Sequence, residues 1–223
     1  MTHHRSAAIG KRLRASKLFY RALFPGRQPQ ANRIMTLTDV EICSVALVKI
    51  GANAISSFDD ETVEADVGRH LYEITLRALI TAHPWHFSLF ETVLQNVDEP
   101  SQAGYSHVFA LPADVLRVIS AGASSRGRGL EFRVAGDRLY ANSTDVVLNH
   151  QRRPATATFP AFFVQVLVAK LAAEFCLPLT EGTSRAEALQ RLAAAELKIA
   201  RLIDSQQDTP RAVEDFTLIA ARS

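Results

Sequence analysis

The sequence predicts an α+β fold: a four-helix bundle carrying an antiparallel β-rich insert between the second and third helices. Three observations carry that expectation. Helical apolar spacing recurs in two pairs, one over residues 38–83 and one over 160–205. Between them the apolar period shortens to two, with turn residues at short intervals. The 223 residues, 48% of them hydrophobic, suffice for a sizeable core.

The first helix is expected over about 38–51. Thr38 and Glu41 fit a capping box, Val40, Cys43, Leu47 and Ile50 recur on one face, and Gly51 supplies a left-handed stop. The second is expected over about 60–83, opened by Asp59, Asp60 and Glu61 against the helix dipole, with Val63, Val67, Leu71, Ile74 and Ala78 as its inner stripe and Pro84 at its end. From Trp85 the alternation Trp85, Phe87, Leu89 against His86, Ser88, Phe90 reads as a strand. Further strands are expected at Tyr105–Leu111, Val115–Ala121, Leu130–Ala135, Arg138–Ala141 and Val146–His150, with Gly136-Asp137 as a two-residue hairpin turn and the insert spanning about 85–150. The Gly-, Ser- and Arg-rich run 120–129 reads as an exposed loop. The third helix is expected from Pro160 to about Leu177, apolar on nearly all sides and therefore central, followed by breaks at Pro178 and Gly182. The fourth, about 184–205, opens on a Ser184–Glu187 capping box with Leu189, Leu192, Ile199 and Ile203 inward. A C-terminal tail, 206–223, starts polar and ends in Phe216, Leu218 and Ile219.

Charge divides the chain more sharply than its net +2 suggests. Residues 1–34 hold eight basic residues and no acid, which leaves 17 basic and all 23 acidic residues, a net −6, for the remainder. An acidic body argues against a broad nucleic-acid face, which needs many cations to neutralise phosphates. Three readings of the basic leader stay open: an arm touching DNA or a membrane, an organellar-type presequence, or sequence upstream of a start at Met35. The apolar stretch 161–177 is interrupted by Gln165, Lys170 and Glu174 and is too short and too charged to span a bilayer. Cys43 and Cys176 lie in apolar helical patterns and read as small buried hydrophobes.

Signs of chemistry are weak. His83 and His86 with His107 suggest a metal site, but Pro84 breaks the helix between the first two, and histidines beside an aromatic cluster account for them. The group Asp59, Asp60, Glu61, Glu64 and Asp66 could suit a magnesium-dependent hydrolase, yet acids crowd the first turns of helices without any metal. No nucleophile elbow, phosphate loop, dinucleotide fingerprint or zinc-helix motif is present. A non-enzymatic protein without cofactor or metal is therefore expected.

A positive indication comes from an ordered series of segments. Ile42-Cys43-Ser44-Val45-Ala46-Leu47 through Ile50-Gly51, then Ile55-Ser56-Ser57-Phe58-Asp59-Asp60, then Ala65, Tyr72 and Arg77, then His83-Pro84-Trp85-His86-Phe87, resembles the tail tubular protein A family of bacteriophage head-to-tail adaptors. Leu111-Pro112-Ala113-Asp114-Val115-Leu116-Arg117-Val118 is similar to that family's Leu-Pro-x-Asp-x-Leu-Arg-Val segment. With the third and fourth helices, the resemblance covers about residues 36–205; the basic leader departs from it, and the family's C-terminal region varies.

The resemblance implies a structural virion protein at the head–tail interface, present in host cytoplasm during assembly. It implies a homo-oligomeric ring, twelvefold where the family is characterised, between portal protein and tail tube or nozzle, with DNA passing through unread and no membrane partner. In the motifs, Gly51 is expected to cap, Pro84 to end a helix, Trp85 and Phe87 to anchor bundle to sheet, Pro112 and Asp114 to make a turn in which the Asp114 side chain bonds nearby backbone, and Arg117 to pair with an acid; Asp59, Tyr72 and His83 are further fold-making positions. The tail, through Arg211, Phe216, Leu218 and Ile219, is expected to reach the portal, and the loop residues Ser125, Arg126 and Arg128 to face the tail tube. The channel wall is expected to be neutral or negative so that DNA slides. The competing reading is a DNA-binding or genome-end-binding accessory protein that uses the basic arm, with salt-sensitive affinity lost on removing residues 1–34.

Overall fold

A computed structural model describes residues 37–101, 104–123 and 127–207. The chain divides into two units, 1–35 and 36–223, and every described residue belongs to the second. The described residues form a mixed α+β structure of four helices and two antiparallel sheets.

Helix α1, Asp39–Ile50, begins on Thr38, whose hydroxyl accepts the Glu41 N–H at 3.2 Å while the Glu41 carboxylate accepts the Thr38 N–H at 2.7 Å. It ends on Gly51 at φ 79°, the left-handed cap that a Cβ would strain. Helix α2, Val63–Thr81, is capped by Thr62 through the Ala65 N–H. It starts later than the acids suggest, because Asp60 instead accepts the Ser56 and Ser57 N–H groups and closes the preceding turn. Its buried face is Ala65, Gly68, Tyr72, Thr75, Leu76, Leu79 and Ile80. The stripe expected inside lies on the flank instead, and Val63 and Ile74 are 67% and 68% exposed.

The Trp85–Phe90 strand is corrected at its start: His86–Ser88 form a 3-10 turn, and the strand begins at Leu89. The turn is fixed because the Ser88 N–H and hydroxyl both donate to the Trp85 carbonyl. Strand β1 is Leu89–Val93, β2 Asn96–Val97, β3 His107–Ala110, β4 Arg117–Gly122, β5 Phe132–Ala135, β6 Arg138–Ala141 and β7 Val147–Gln151. One sheet runs β1-β7-β4 and the other β2-β3-β6-β5. Gly136, at φ 60°, and Asp137 turn the β5–β6 hairpin, closed by the Ala135–Arg138 pair. The sheets share a small core of Leu94, Phe109, Ala121, Leu139, Ala141, Val146 and Leu148.

Helix α3, Ala161–Thr180, packs against all three other helices. It runs past Pro178, which forgoes one i→i−4 hydrogen bond near the helix end, and stops at Glu181 in left-handed conformation, φ 53°. The expectation that this stretch is too short and too charged to span a bilayer is corrected, because the helix runs on to Thr180 and is long and apolar enough by length and composition; its packing against three helices accounts for that apolarity. Helix α4, Thr183–Ser205, is capped by Gly182 without a side-chain bond, so the Ser184–Glu187 capping box does not form. Its buried residues are Ala186, Ala193, Ala200 and Asp204, whereas Leu192, Ile199 and Ile203, expected inward, are 48%, 54% and 39% exposed. Small side chains let α4 approach α3 closely, which decides its orientation against the larger apolar stripe.

Candidate functional site

The junction between the helices and the β1-β7-β4 sheet gathers most of the motif residues. Trp85 is fully buried, donates its indole N–H to the Leu79 carbonyl at 2.9 Å, and packs edge-on to Phe163 and His83. Phe87 continues the cluster onto Phe159 and Phe163. Pro84 lies past the end of α2, as its missing donor favours. Arg117 does not meet an acid; its Nη1 donates to the Thr81 carbonyl at 2.9 Å, so a β4 side chain satisfies the open end of α2. The Asp114 carboxylate meets Arg152 at 3.5 Å rather than local backbone, while the turn closes through Val115 N–H to the Pro112 carbonyl. Arg152 itself lies 3.6 Å over the Phe90 ring.

Three polar side chains that sequence reasoning passed over organise this junction. Gln151 ends β7, is fully buried, and places Nε2 at 2.9 Å from the Ile80 carbonyl, 2.8 Å from the His83 carbonyl and 2.9 Å from the Ser88 hydroxyl. Asp39, at the start of α1, accepts the Tyr72 hydroxyl and Arg153 Nη2, both at 2.9 Å, and the Thr156 hydroxyl. Asp204, in the last turn of α4 with its side chain 1% exposed, faces His86 Nδ1 at 3.1 Å, the His86 N–H at 3.3 Å and His83 Nε2 at 3.4 Å. An acid in register with the small residues Ala193 and Ala200 is the one signal for Asp204 that the sequence offers.

Electrostatics follow burial. Loss of water around His83 lowers its pKa, and this outweighs the pull of Asp204 in the other direction. His150, buried in β7, is likewise lowered by burial. The Cys43 thiol is pushed up to about 12 by burial, with Asp39 adding to it, and the Tyr72 phenol is raised mainly by burial and next by its bond to Asp39. These groups are held neutral by their surroundings. The Asp204 carboxylate, facing both imidazoles and accepting the His86 N–H, orients the α2–β1 connection. Among the described residues, no group of three or more His, Cys, Asp or Glu is arranged to hold a metal ion.

Other sequence-predicted positions stand apart. Asp59 is exposed in the turn before α2, and its N–H donates to the Ser57 hydroxyl. Arg128 is exposed. Ser125, Arg126, Arg211, Phe216, Leu218, Ile219 and the basic leader lie outside the described residues.

The second feature of functional weight is the outer surface of the helices. On α4, Ala188, Leu192, Ala195, Ile199 and Leu202 follow the alternating four-and-three spacing of a helix–helix seam, and all are exposed. On the other flank of α4, Gln190, Ala193, Ala194 and Leu197 face Thr75, Ala78, Leu79 and Ala82 of α2 across a groove of about 210 Å³, floored by Val166 and Lys170 of α3. The chain matches no protein-family model, and no curated protein matches it.

Proposed function

We propose that this chain is a non-enzymatic ring subunit, the head-to-tail adaptor that links the portal of a tailed bacteriophage to its tail tube and surrounds the DNA channel. The observation that carries the reading is the inverted fourth helix: Ala186, Ala193 and Ala200 face the core while Leu192, Ile199 and Leu202 face outward. A contiguous apolar seam at helix–helix spacing marks a protein–protein contact. A ring subunit needs two different complementary surfaces, one for each neighbour. The resemblance of the motif series from Ile42 to Val118 to the tail tubular protein A family supports placing such a ring between portal and tail.

In this reading the four helices act as one bundle and form the ring wall, with the β-rich insert and its Arg128 loop toward the tail tube and the C-terminal segment toward the portal. The aromatic junction at Trp85 and the polar plug at Gln151 hold the insert at a fixed angle to the wall. Electron microscopy of the full chain mixed with the portal protein of the same phage tests the proposal. Rings stacked on portals are expected; monomers beside bare portals contradict it. Salt-sensitive DNA binding that disappears on removing residues 1–34 would instead favour the accessory-protein reading.

A further inference from the structure

The groove between α2 and α4 is apolar on its walls and cationic at its edges. Alanines at 78, 82, 193 and 194 leave it open, and Leu79, Leu197 and Val166 give it an oily floor. Lys170 lines it, in an ion pair with Glu174 at 2.9 Å. Lys198 is exposed one turn beyond Ala194 on the same flank of α4. Arg201 stands at the Ala82 end: its Nη2 donates to the Ala82 carbonyl at 3.0 Å, and its buried Nε has no hydrogen-bond partner. An exposed ammonium and a guanidinium at one end of bare apolar walls suit an extended apolar segment with carboxylates.

We propose that this occupant is the chain's own segment Val213-Glu214-Asp215-Phe216-Thr217-Leu218-Ile219, docked in the groove of the same subunit. Its composition is complementary: two adjacent carboxylates precede three large apolar side chains. The tether suffices. Phe216 lies nine positions beyond Gln207, a reach of about 30 Å when extended. The groove residues of α4 lie ten to seventeen residues back from Gln207, or about 15–26 Å along the helix axis. Phe216 and Leu218 or Ile219 enter between the alanines, and Glu214 and Asp215 meet Lys198 and Arg201. This is the state of the subunit without a portal: in the adaptor reading the portal takes the same segment out of the groove, and because docking requires no ring its test is independent of that reading.

Hydrogen–deuterium exchange on the full chain, read by mass spectrometry, tests the docking. The peptide covering 212–220 is expected to exchange about tenfold more slowly in the wild type than in Ala194→Arg, which fills the groove from an exposed position, at any protein concentration. Lys198→Glu is expected to remove part of the protection, and Glu214→Lys with Asp215→Lys in the same chain to restore it. Phe216→Ser, which leaves the helices untouched, is expected to give the same loss as the groove variant. Exchange of 212–220 at the free-peptide rate in the wild type, or protection unchanged in Ala194→Arg, overturns the proposal. Protection that grows with concentration places the segment on a second copy and overturns the same-subunit assignment.

Discussion

Asp204 and His86 are 118 residues apart in sequence and 3.1 Å apart in space, and this contact ties the end of the last helix to the first residues that leave the second. The carboxylate is withdrawn from water and also faces the His86 main-chain N–H and the His83 ring. Replacing it takes the shared acceptor away from both imidazoles and from the His86 main-chain N–H. Asp204→Ala is therefore expected to lower unfolding free energy by about 2–4 kcal/mol, and Asp204→Asn, which keeps an acceptor, by less. Urea denaturation of the three proteins measures the difference.

Acid is expected to weaken the fold before the carboxylates begin to titrate. His83 and His150 both have folded pKa values below the ordinary 6.5, because burial penalises the charged ring. Below 6.5 the unfolded chain binds protons that the folded chain refuses, so stability falls as pH drops from 6.5 toward the folded values and is complete above 6.5. Each histidine contributes a slope of at most about 1.4 kcal/mol per pH unit in that window. Urea midpoints at pH 7.5, 6.5 and 5.5 are expected to fall, and His150→Gln to flatten the dependence. A midpoint constant across that range removes the argument.

Gln151 couples sheet to helices through a single nitrogen. Its Cα is paired with Leu89 on β1 and with Arg117 on β4, and its amide faces two carbonyls at the end of α2. Gln151→Leu keeps much of the side-chain bulk but strands the Ile80 and His83 carbonyls, at a cost of about 2–3 kcal/mol. Gln151→Glu substitutes a carboxylate for the donor and is expected to cost at least as much. Thermal unfolding followed by near-ultraviolet circular dichroism of the Trp85 cluster reports both.

Local chemistry was legible where one signal dominated. Thr38, Glu41 and Gly51 bound α1, and Gly136-Asp137 set the β5–β6 turn, because each of those residues acts on its own neighbours. Orientation was not legible where a helix carries two apolar stripes. In α2, the series Val63, Val67, Leu71, Ile74 competes with Ala65, Gly68, Tyr72, Leu76 and Leu79, and the second wins because Gly68 lets Phe58 and Ile55 close against the helix. The alternation from Trp85 to Phe90 reads as strand, yet the buried Ser88 hydroxyl and the Trp85 carbonyl fold its first half into a turn. Asp39, Gln151 and Asp204 have partners 33 to 118 residues away, so no local pattern announces them. Arg117 could be expected to find an acid, but a helix end with open carbonyls was nearer.

The two faces of α4 give a prediction in which stability and assembly separate. Leu192 and Ile199 are about half exposed, so Leu192→Glu with Ile199→Glu removes little buried area and is expected to change unfolding free energy by no more than about 0.5 kcal/mol. Ala200 is 2% exposed within the helical core, and Ala200→Leu forces extra atoms into a close helix contact, costing about 1–3 kcal/mol. The orientation read from residue size alone predicts the reverse order, with the glutamates destroying the fold and the leucine improving it. If the outer seam joins neighbouring subunits, the double glutamate variant also loses ring formation while remaining a folded monomer, because two charges then lie in a desolvated helix seam. Circular dichroism gives the fold, denaturation the stability, and mass photometry the assembly state of the same samples. A double variant that unfolds places Leu192 and Ile199 in the core and withdraws the seam; one that is stable and still forms rings leaves the helices folded as described and moves the subunit contact elsewhere.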